Sequence, residues 1–280
     1  MDIKTIISKA NNKLVKSNIK TSYLDSEILL SKIIKKNREF IILNPNKKLD
    51  ETSINQFEDL IEQRCKGKPI AYFLKKKDFW KYEFYVNEDT LIPRPDTELV
   101  LEQVLKLTRN KSKLNILDIG VGSGCILLSI LMERKSFYGV GVDISKKCVE
   151  ISRINAKNHR LLHRVKFFKS DIDNFNNGKY DLIVSNPPYI NNFKYKYLEK
   201  DITQFEPNLA LKGGFDGLSE IRKVINKSSE LIKKNGRLVL EIAFDQKNKV
   251  IMLLKENGFF INTVLKDIAK NDRCIISTKI

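Results

Sequence analysis

Apolar residues in the first part of the chain recur with a helical period. Ile3, Ile6, Ile7, Ala10 and Leu14 share one face, and Asn11, Asn12 and Asn18 weaken the pattern beyond them. Thr21 and Ser22 suit the N-cap of a second helix that turns Leu24, Ile28, Leu29 and Ile33 inward. After a turn at Asn44-Pro45-Asn46, residues 50–52 can cap a third helix carrying Ile54, Phe57, Leu60 and Ile61, which Gly67-Lys68-Pro69 stops. These make a small helical bundle. From Ile70 to Val86 the chain turns aromatic and β-branched, which predicts a β-hairpin linker.

Beyond Pro93-Arg94-Pro95 the pattern becomes alternating strand and helix. Strands are expected over 115–120, 137–143, 165–170, 181–185 and 237–242, with helices over 124–133, 145–157, 218–234 and 246–257. Continuous apolar strands between helices predict a mostly parallel sheet covered on both faces. Two closing strands, 261–267 and 273–278, are too close for a crossover helix and must pair antiparallel. The fold class is therefore α/β: a Rossmann-like sheet with an N-terminal helical bundle and a hairpin linker.

Composition narrows the function classes without choosing one. Of 280 residues 42% are hydrophobic, enough for a real core. The longest apolar run, Cys125 to Met132, is less than half of the roughly 20 residues a spanning helix needs. Acid and base within the first nine residues speak against a secretion signal. The four cysteines (Cys65, Cys125, Cys148, Cys274) form no Cys-x-x-Cys pair, which fits a reducing, cytoplasmic setting and no zinc knuckle. His159 and His163 are the only histidines and lie four apart with no glutamate between, so no metal site is expected. The charge of +17 suits an acidic macromolecular neighbour but equally suits a lysine-rich compositional bias.

The chemistry is concentrated in two segments. In the first, Gly120, Val121, Gly122, Ser123 and Gly124 follow a strand and open a helix, and Asp143 ends the next strand nineteen residues after Gly124. Glycines let a ligand approach the backbone, and an acid at that offset binds both hydroxyls of a ribose. The pairing indicates an adenosine-containing ligand. Nicotinamide dinucleotides and S-adenosylmethionine both remain open, although Gly-x-Gly-x-Gly is not the dinucleotide fingerprint. Asp118 offers a second carboxylate or a turn cap. Asp171 stands where an acceptor for an adenine amino group is wanted.

The second segment, Asn186-Pro187-Pro188-Tyr189, follows a buried strand. Two prolines end the pairing and fix an extended path, and with it two acceptors, the Asn186 side-chain carbonyl and the Pro187 backbone carbonyl. Such a pair beside the Tyr189 ring suits a planar –NH₂ group whose nitrogen is to be aimed at an electrophilic methyl. Positioning of this kind is worth roughly 7–11 kcal/mol. An amide or the exocyclic amine of a base offers the same donors. Arg94, Glu206 and Pro207 are further candidates, and residues 191–214 form a connection long enough for a lid.

These residues resemble the release-factor glutamine N5-methyltransferase family (PrmC/HemK). The likeness extends over most of the chain: Gly67 to Tyr72, Leu91 to Glu98, the glycine loop, Val142 to Ser145, Asn186 to Ile190, Phe205 to Leu211, Gly213 to Leu218, Leu240 to Ile242 and Asp272-Arg273. It implies a seven-stranded class I methyltransferase domain (96–280), a helical substrate-recognition domain (1–68) and a linker (69–95). It implies methyl transfer from S-adenosylmethionine to the glutamine of the Gly-Gly-Gln loop of peptide-chain release factors. Cofactor contacts are then expected at Gly120, Val121, Gly122, Ser123, Gly124, Asp143, Asp171, Ile172 and Asn186. Asn186, Pro187 and Tyr189 are expected to be catalytic, and Asn186, Pro187, Pro188 and Tyr189 to hold the substrate. Ribosome proximity stays open, and neither a membrane nor a stable nucleic-acid partner is expected. The alternative reading is N-methylation of adenine or guanine in DNA or RNA, which usually needs a larger recognition surface than a small bundle provides. The sequence departs from the family pattern at Lys75, Lys81, Asp96, Val121 and Ile172.

Overall fold

The computed structural model describes all 280 residues, apart from the side chain of Lys200. The chain forms two compact units. One comprises Met1–Lys75 together with Glu199–Phe205, and the other comprises Lys76–Leu198 and Glu206–Ile280.

The first unit holds α1 (Ile3–Lys16), α2 (Ser22–Ile34), α3 (Arg38–Leu43), α4 (Glu51–Cys65), α5 (Ile70–Leu74) and the short helix Lys200–Phe205. Asp2 and Asp50 cap α1 and α4 by accepting the backbone N–H of Thr5 and Ser53, each at 2.8 Å. Ile3, Ile6, Ile7, Ala10 and Leu14 are buried as their spacing predicts, and they pack with Phe57 and Ile61. α2 departs from expectation. Leu24 is exposed, and Asp25 is buried in its place because Arg64 of α4 donates to it at 2.8 Å. The ion pair moves the buried face round the helix. α3 went unforeseen, being a helix of only six residues capped by Asn37. The start of the aromatic stretch is also helical: α5 covers residues expected in the hairpin and ends at Lys75, whose φ is +55°.

The second unit begins with the hairpin of β1 (Lys76–Phe79) and β2 (Tyr82–Tyr85), then α6 (Glu98–Leu107). Seven strands follow as one sheet: β3 (Asn115–Ile119), β4 (Tyr138–Asp143), β5 (Val165–Lys169), β6 (Tyr180–Ser185), β7 (Ile232–Glu241), β8 (Phe259–Lys266) and β9 (Asp272–Lys279). Their order is β5-β4-β3-β6-β7-β9-β8. β3 pairs in parallel with β4 and β6, while β9 is antiparallel to β7 and β8, as the short final connection requires. α7 (Cys125–Glu133), α8 (Lys146–Asn158), α9 (Asn192–Tyr195), α10 (Lys200–Phe205, counted with the first unit), α11 (Ser219–Leu231) and α12 (Lys247–Glu256) complete the chain. α7 is buried over nearly its whole length, which accounts for its continuous apolar sequence.

β7 starts earlier than the sequence predicts. Ile232 already pairs with Tyr180, and the register then jumps to Leu182 opposite Arg237. Residues 233–236 bulge out at that point, with Asn235 at φ +62°. The polar Lys-Lys-Asn run that resembles a helix end is this bulge. Because β3 has its successors on both sides, a crevice opens beyond its carboxyl end, the usual place for a ligand in such sheets.

Candidate active site

That crevice is a cavity lined by Gly120, Val121, Gly122 and Ser123, by Asp143, by Asp171 and Ile172, and by Asn186, Pro187 and Pro188. Segments distant in sequence therefore meet in one place. Gly120, Gly122 and Gly124 all have positive φ, which permits the tight turn after β3. A Cβ built on Gly120 would meet nothing within 4 Å, so the backbone there borders open space rather than packed side chains. Gly124 caps α7 behind the loop; it is not on the cavity wall.

Asp143 ends β4 and ties the loop together. One carboxylate oxygen accepts the N–H of Gly122 and the other that of Ser145, both at 2.9 Å. Burial raises its pKa above the ordinary value despite these bonds. Asp171 accepts the N–H of Asp173 at 3.1 Å, which orients it at the end of β5. Asp118 lies on β3, buried, off the cavity wall and with no hydrogen bond to either carboxylate oxygen. Burial pushes its pKa up to about 7; the backbone N–H of Leu127 offsets this in part without making a hydrogen bond of ordinary geometry.

The Asn186-Pro187-Pro188-Tyr189 strap leaves β6 and is fixed from several sides. Ser185 donates to the Ile119 carbonyl at 2.7 Å. Gln246 donates to the Tyr189 carbonyl at 3.1 Å, and Ile190 exchanges backbone hydrogen bonds with Leu211 and Gly213. Asn186 donates through Nδ2 to the Thr97 hydroxyl at 3.1 Å. Among the described residues no hydrogen bond ends on its Oδ1, which is left free as an acceptor at the cavity wall. Tyr189 is placed differently from the expectation. It does not line the cavity; its ring packs with the sheet core and its hydroxyl donates to Glu241 at 3.1 Å.

Arg94 and Pro207 also line the cavity. Glu206, buried, forms an ion pair with Arg94 and accepts the Ile92 N–H at 3.1 Å, so one carboxylate clamps residues 92–94. The sequence assigns no role to Thr97 or Glu241, although both lie in stretches that carry the resemblance; the fold brings Thr97 to Asn186 and Glu241 to Tyr189. His159 contacts the Glu83 carbonyl at 2.9 Å and the Tyr82 and Phe84 rings, while His163 is exposed. Among the described residues no group of three or more His, Cys, Asp and Glu side chains could hold a metal.

The seven-stranded sheet in this order, with the glycine loop, Asp143 and Asn186 gathered on one cavity beyond β3, is the architecture of a class I S-adenosylmethionine-dependent methyltransferase. The PrmC N-terminal domain family matches residues 5–74, and the methyltransferase small domain family matches residues 95–215. The release factor glutamine methyltransferase of Clostridium acetobutylicum is 36% identical over 100% of this chain and 99% of its own. That of Buchnera aphidicola is 38% identical over 100% and 99%. The chain belongs to the release factor glutamine methyltransferase family. It also matches, at 35% identity and over 99% of its length, a protein of Rickettsia felis named bifunctional methyltransferase, but it spans only 58% of that relative. Among solved structures, a ribosomal protein L11 methylase from Lactobacillus delbrueckii shares the fold, with a TM-score of 0.50 and 17% identity over 72% of this chain and 88% of that one.

Proposed function

We propose that this chain methylates N5 of the glutamine in the Gly-Gly-Gln loop of peptide-chain release factors. The observation that carries the reading is the free Asn186 Oδ1 on the wall of a cavity that also holds the glycine loop and Asp143. S-adenosylmethionine, when bound there, supplies an electrophilic methyl carried on a sulfonium. Gly120 to Ser123 admit it against the backbone, Asp143 receives the ribose hydroxyls, and Asp171 and Ile172 border the adenine; Gly124 supports the turn from behind. Asn186 Oδ1 and the Pro187 carbonyl accept the two N–H bonds of the glutamine amide. That holds the amide plane and draws electron density onto a nitrogen otherwise poor as a nucleophile. Pro188 shapes the wall, and Tyr189 anchors the strap through Glu241.

No helix is long and apolar enough to cross a membrane. A cytoplasmic protein meeting free or ribosome-bound release factors is consistent with that and belongs to the same proposal. The test is transfer of a labelled methyl group from S-adenosylmethionine to purified release factor, DNA and RNA in parallel. Label is expected on the Gly-Gly-Gln glutamine. Label confined to nucleic acid would overturn the reading.

A further inference from the structure

The sulfonium of S-adenosylmethionine carries three arms: the methyl, the adenosyl group and an amino-acid tail that ends in an ammonium and a carboxylate. The cavity runs along the carboxyl ends of β5, β4, β3 and β6, from Asp171 and Asp143 to Asn186. With the ribose at Asp143 and the methyl at Asn186, as proposed above, the tail is left to the remaining wall. Its carboxylate is the one negative charge of the ligand and needs a cation or strong donors to leave water. Among the described residues the cavity is lined by four acids, Asp89, Asp143, Asp171 and Glu220, and by one cationic side chain, Arg94.

We propose that Arg94 binds the α-carboxylate of S-adenosylmethionine. Arg94 belongs to the Asn186 end of the cavity: its carbonyl accepts the Thr97 N–H at 3.1 Å, and the Thr97 hydroxyl accepts from Asn186. Its guanidinium is held by Glu206, whose side chain is 2% exposed. One Glu206 oxygen pairs with Arg94 Nη2 and the other accepts the Ile92 N–H at 3.1 Å, so both are engaged. Among the described residues Nε and Nη1 of Arg94 make no hydrogen bond, and the side chain keeps 35% exposure. A guanidinium is a rigid fork of five N–H donors, so the part not spent on Glu206 remains available to a second carboxylate.

Charge also decides between this ligand and a peptide carbonyl of the substrate. A carbonyl dipole gains less from a guanidinium than a carboxylate does. A bare cation beside Asn186 would moreover oppose the positive charge that the amide nitrogen takes on as the methyl arrives. Glu206 on one side and the ligand carboxylate on the other remove that conflict, and the four acids keep the cavity favourable to a ligand of net positive charge. The inference rests on the cofactor site described above and adds a contact that neither the glycine loop nor Asp143 supplies.

The test is calorimetric binding to the full-length protein of S-adenosylmethionine, its decarboxylated form and 5′-methylthioadenosine, which lacks the tail. Decarboxylation raises the net positive charge of the ligand, which an acidic wall favours, so a preference for the carboxylated form reports a partner for the carboxylate. Wild type is expected to bind S-adenosylmethionine about 10–100-fold more tightly than the decarboxylated form. In Arg94→Gln that preference should fall to parity or below, with the affinity for 5′-methylthioadenosine unchanged. Should Arg94→Gln not fold, because Glu206 is left buried and unpaired, Arg94→Gln combined with Glu206→Gln makes the pair neutral and carries the same expectation. No preference in wild type, or a preference kept in either variant, overturns the proposal. A raised KM for release factor with the preference intact also overturns it and places Arg94 on the polypeptide. Equal losses for all three ligands overturn it as well, since Arg94 would then only support the pocket. Binding is read without turnover, so a preference that depends on Arg94 but no methyl transfer to release factor would remove the proposed function and leave this assignment standing.

Discussion

Asn186 makes one hydrogen bond with its NH₂ and keeps its carbonyl for the cavity. Asn186→Ala removes a preorganised acceptor while leaving the glycine loop intact, so turnover should fall by on the order of 10²–10³. Cofactor titration should show a smaller change, and unaltered turnover would refute the assigned role. Asp143→Ala should act the other way, weakening cofactor binding most, as calorimetric titration would show. It also releases the Gly122 and Ser145 amides, so part of its effect is a loosened loop. Asp118 contributes a stability slope. Its pKa is raised from the ordinary 3.8 to about 7 by burial, so between those values the native state holds a proton that the unfolded chain has lost. Stability therefore falls as pH rises through that window. Asp118→Asn removes the slope, and its melting temperature relative to wild type should be higher at pH 8 than at pH 4. A constant difference would show that Asp118 does not titrate there.

At the scale of elements, the acceptor strap depends on the turn that receives it. A Cβ on Gly213 would lie 2.7 Å from the Gly217 carbonyl, 2.8 Å from the Pro188 carbonyl and 2.9 Å from the Tyr189 Cα. All three are backbone atoms, so no side chain can rotate away. Gly213→Ala should cost about 1–3 kcal/mol of stability and shift the strap, lowering turnover as well; chemical denaturation would measure the first. Retained stability and turnover would mean that the turn yields more easily than its packing implies. The same segments show what a sequence can disclose. That the glycine loop, Asp143 and Asn186 to Pro188 would stand together was legible because each lies at a strand end, where local backbone geometry dictates residue type; Tyr189, turned to Glu241, was not. The alternation of strands and helices, the mostly parallel sheet and the antiparallel pairing of the last two strands followed from apolar runs and connection lengths. The roles of Thr97 and Glu241 were hidden because the bond of the one to Asn186 and of the other to Tyr189 exist only in the folded chain. The exposed Leu24 and the early start of β7 were misread for a related reason: a tertiary ion pair and a bulge overrode the local period.

The first unit, built from two stretches of chain, is held partly by an arginine whose partners are far apart in sequence. Arg64 donates to Asp25 at 2.8 Å and to Asp201 at 2.9 Å, and it also bonds the Lys68 carbonyl at 3.1 Å. Burial alone would lower its pKa, but the bonds to Asp201 and Asp25 outweigh that and raise it, so the guanidinium stays charged. Through it residues 199–205, which enter the first unit from the middle of the second, are fastened to α2 and α4. Removing one member of a buried ionic cluster strands the rest, at a cost of about 3–5 kcal/mol. Arg64→Ala should therefore loosen every segment that the arginine gathers. Hydrogen exchange should quicken in α1, α2, α4 and residues 199–205, while the amides of β3, β4, β6 and β7 keep their protection. Uniform acceleration through the sheet would mean instead that the two units unfold as one. Unchanged exchange at 199–205 would mean that other contacts of that segment suffice to hold it.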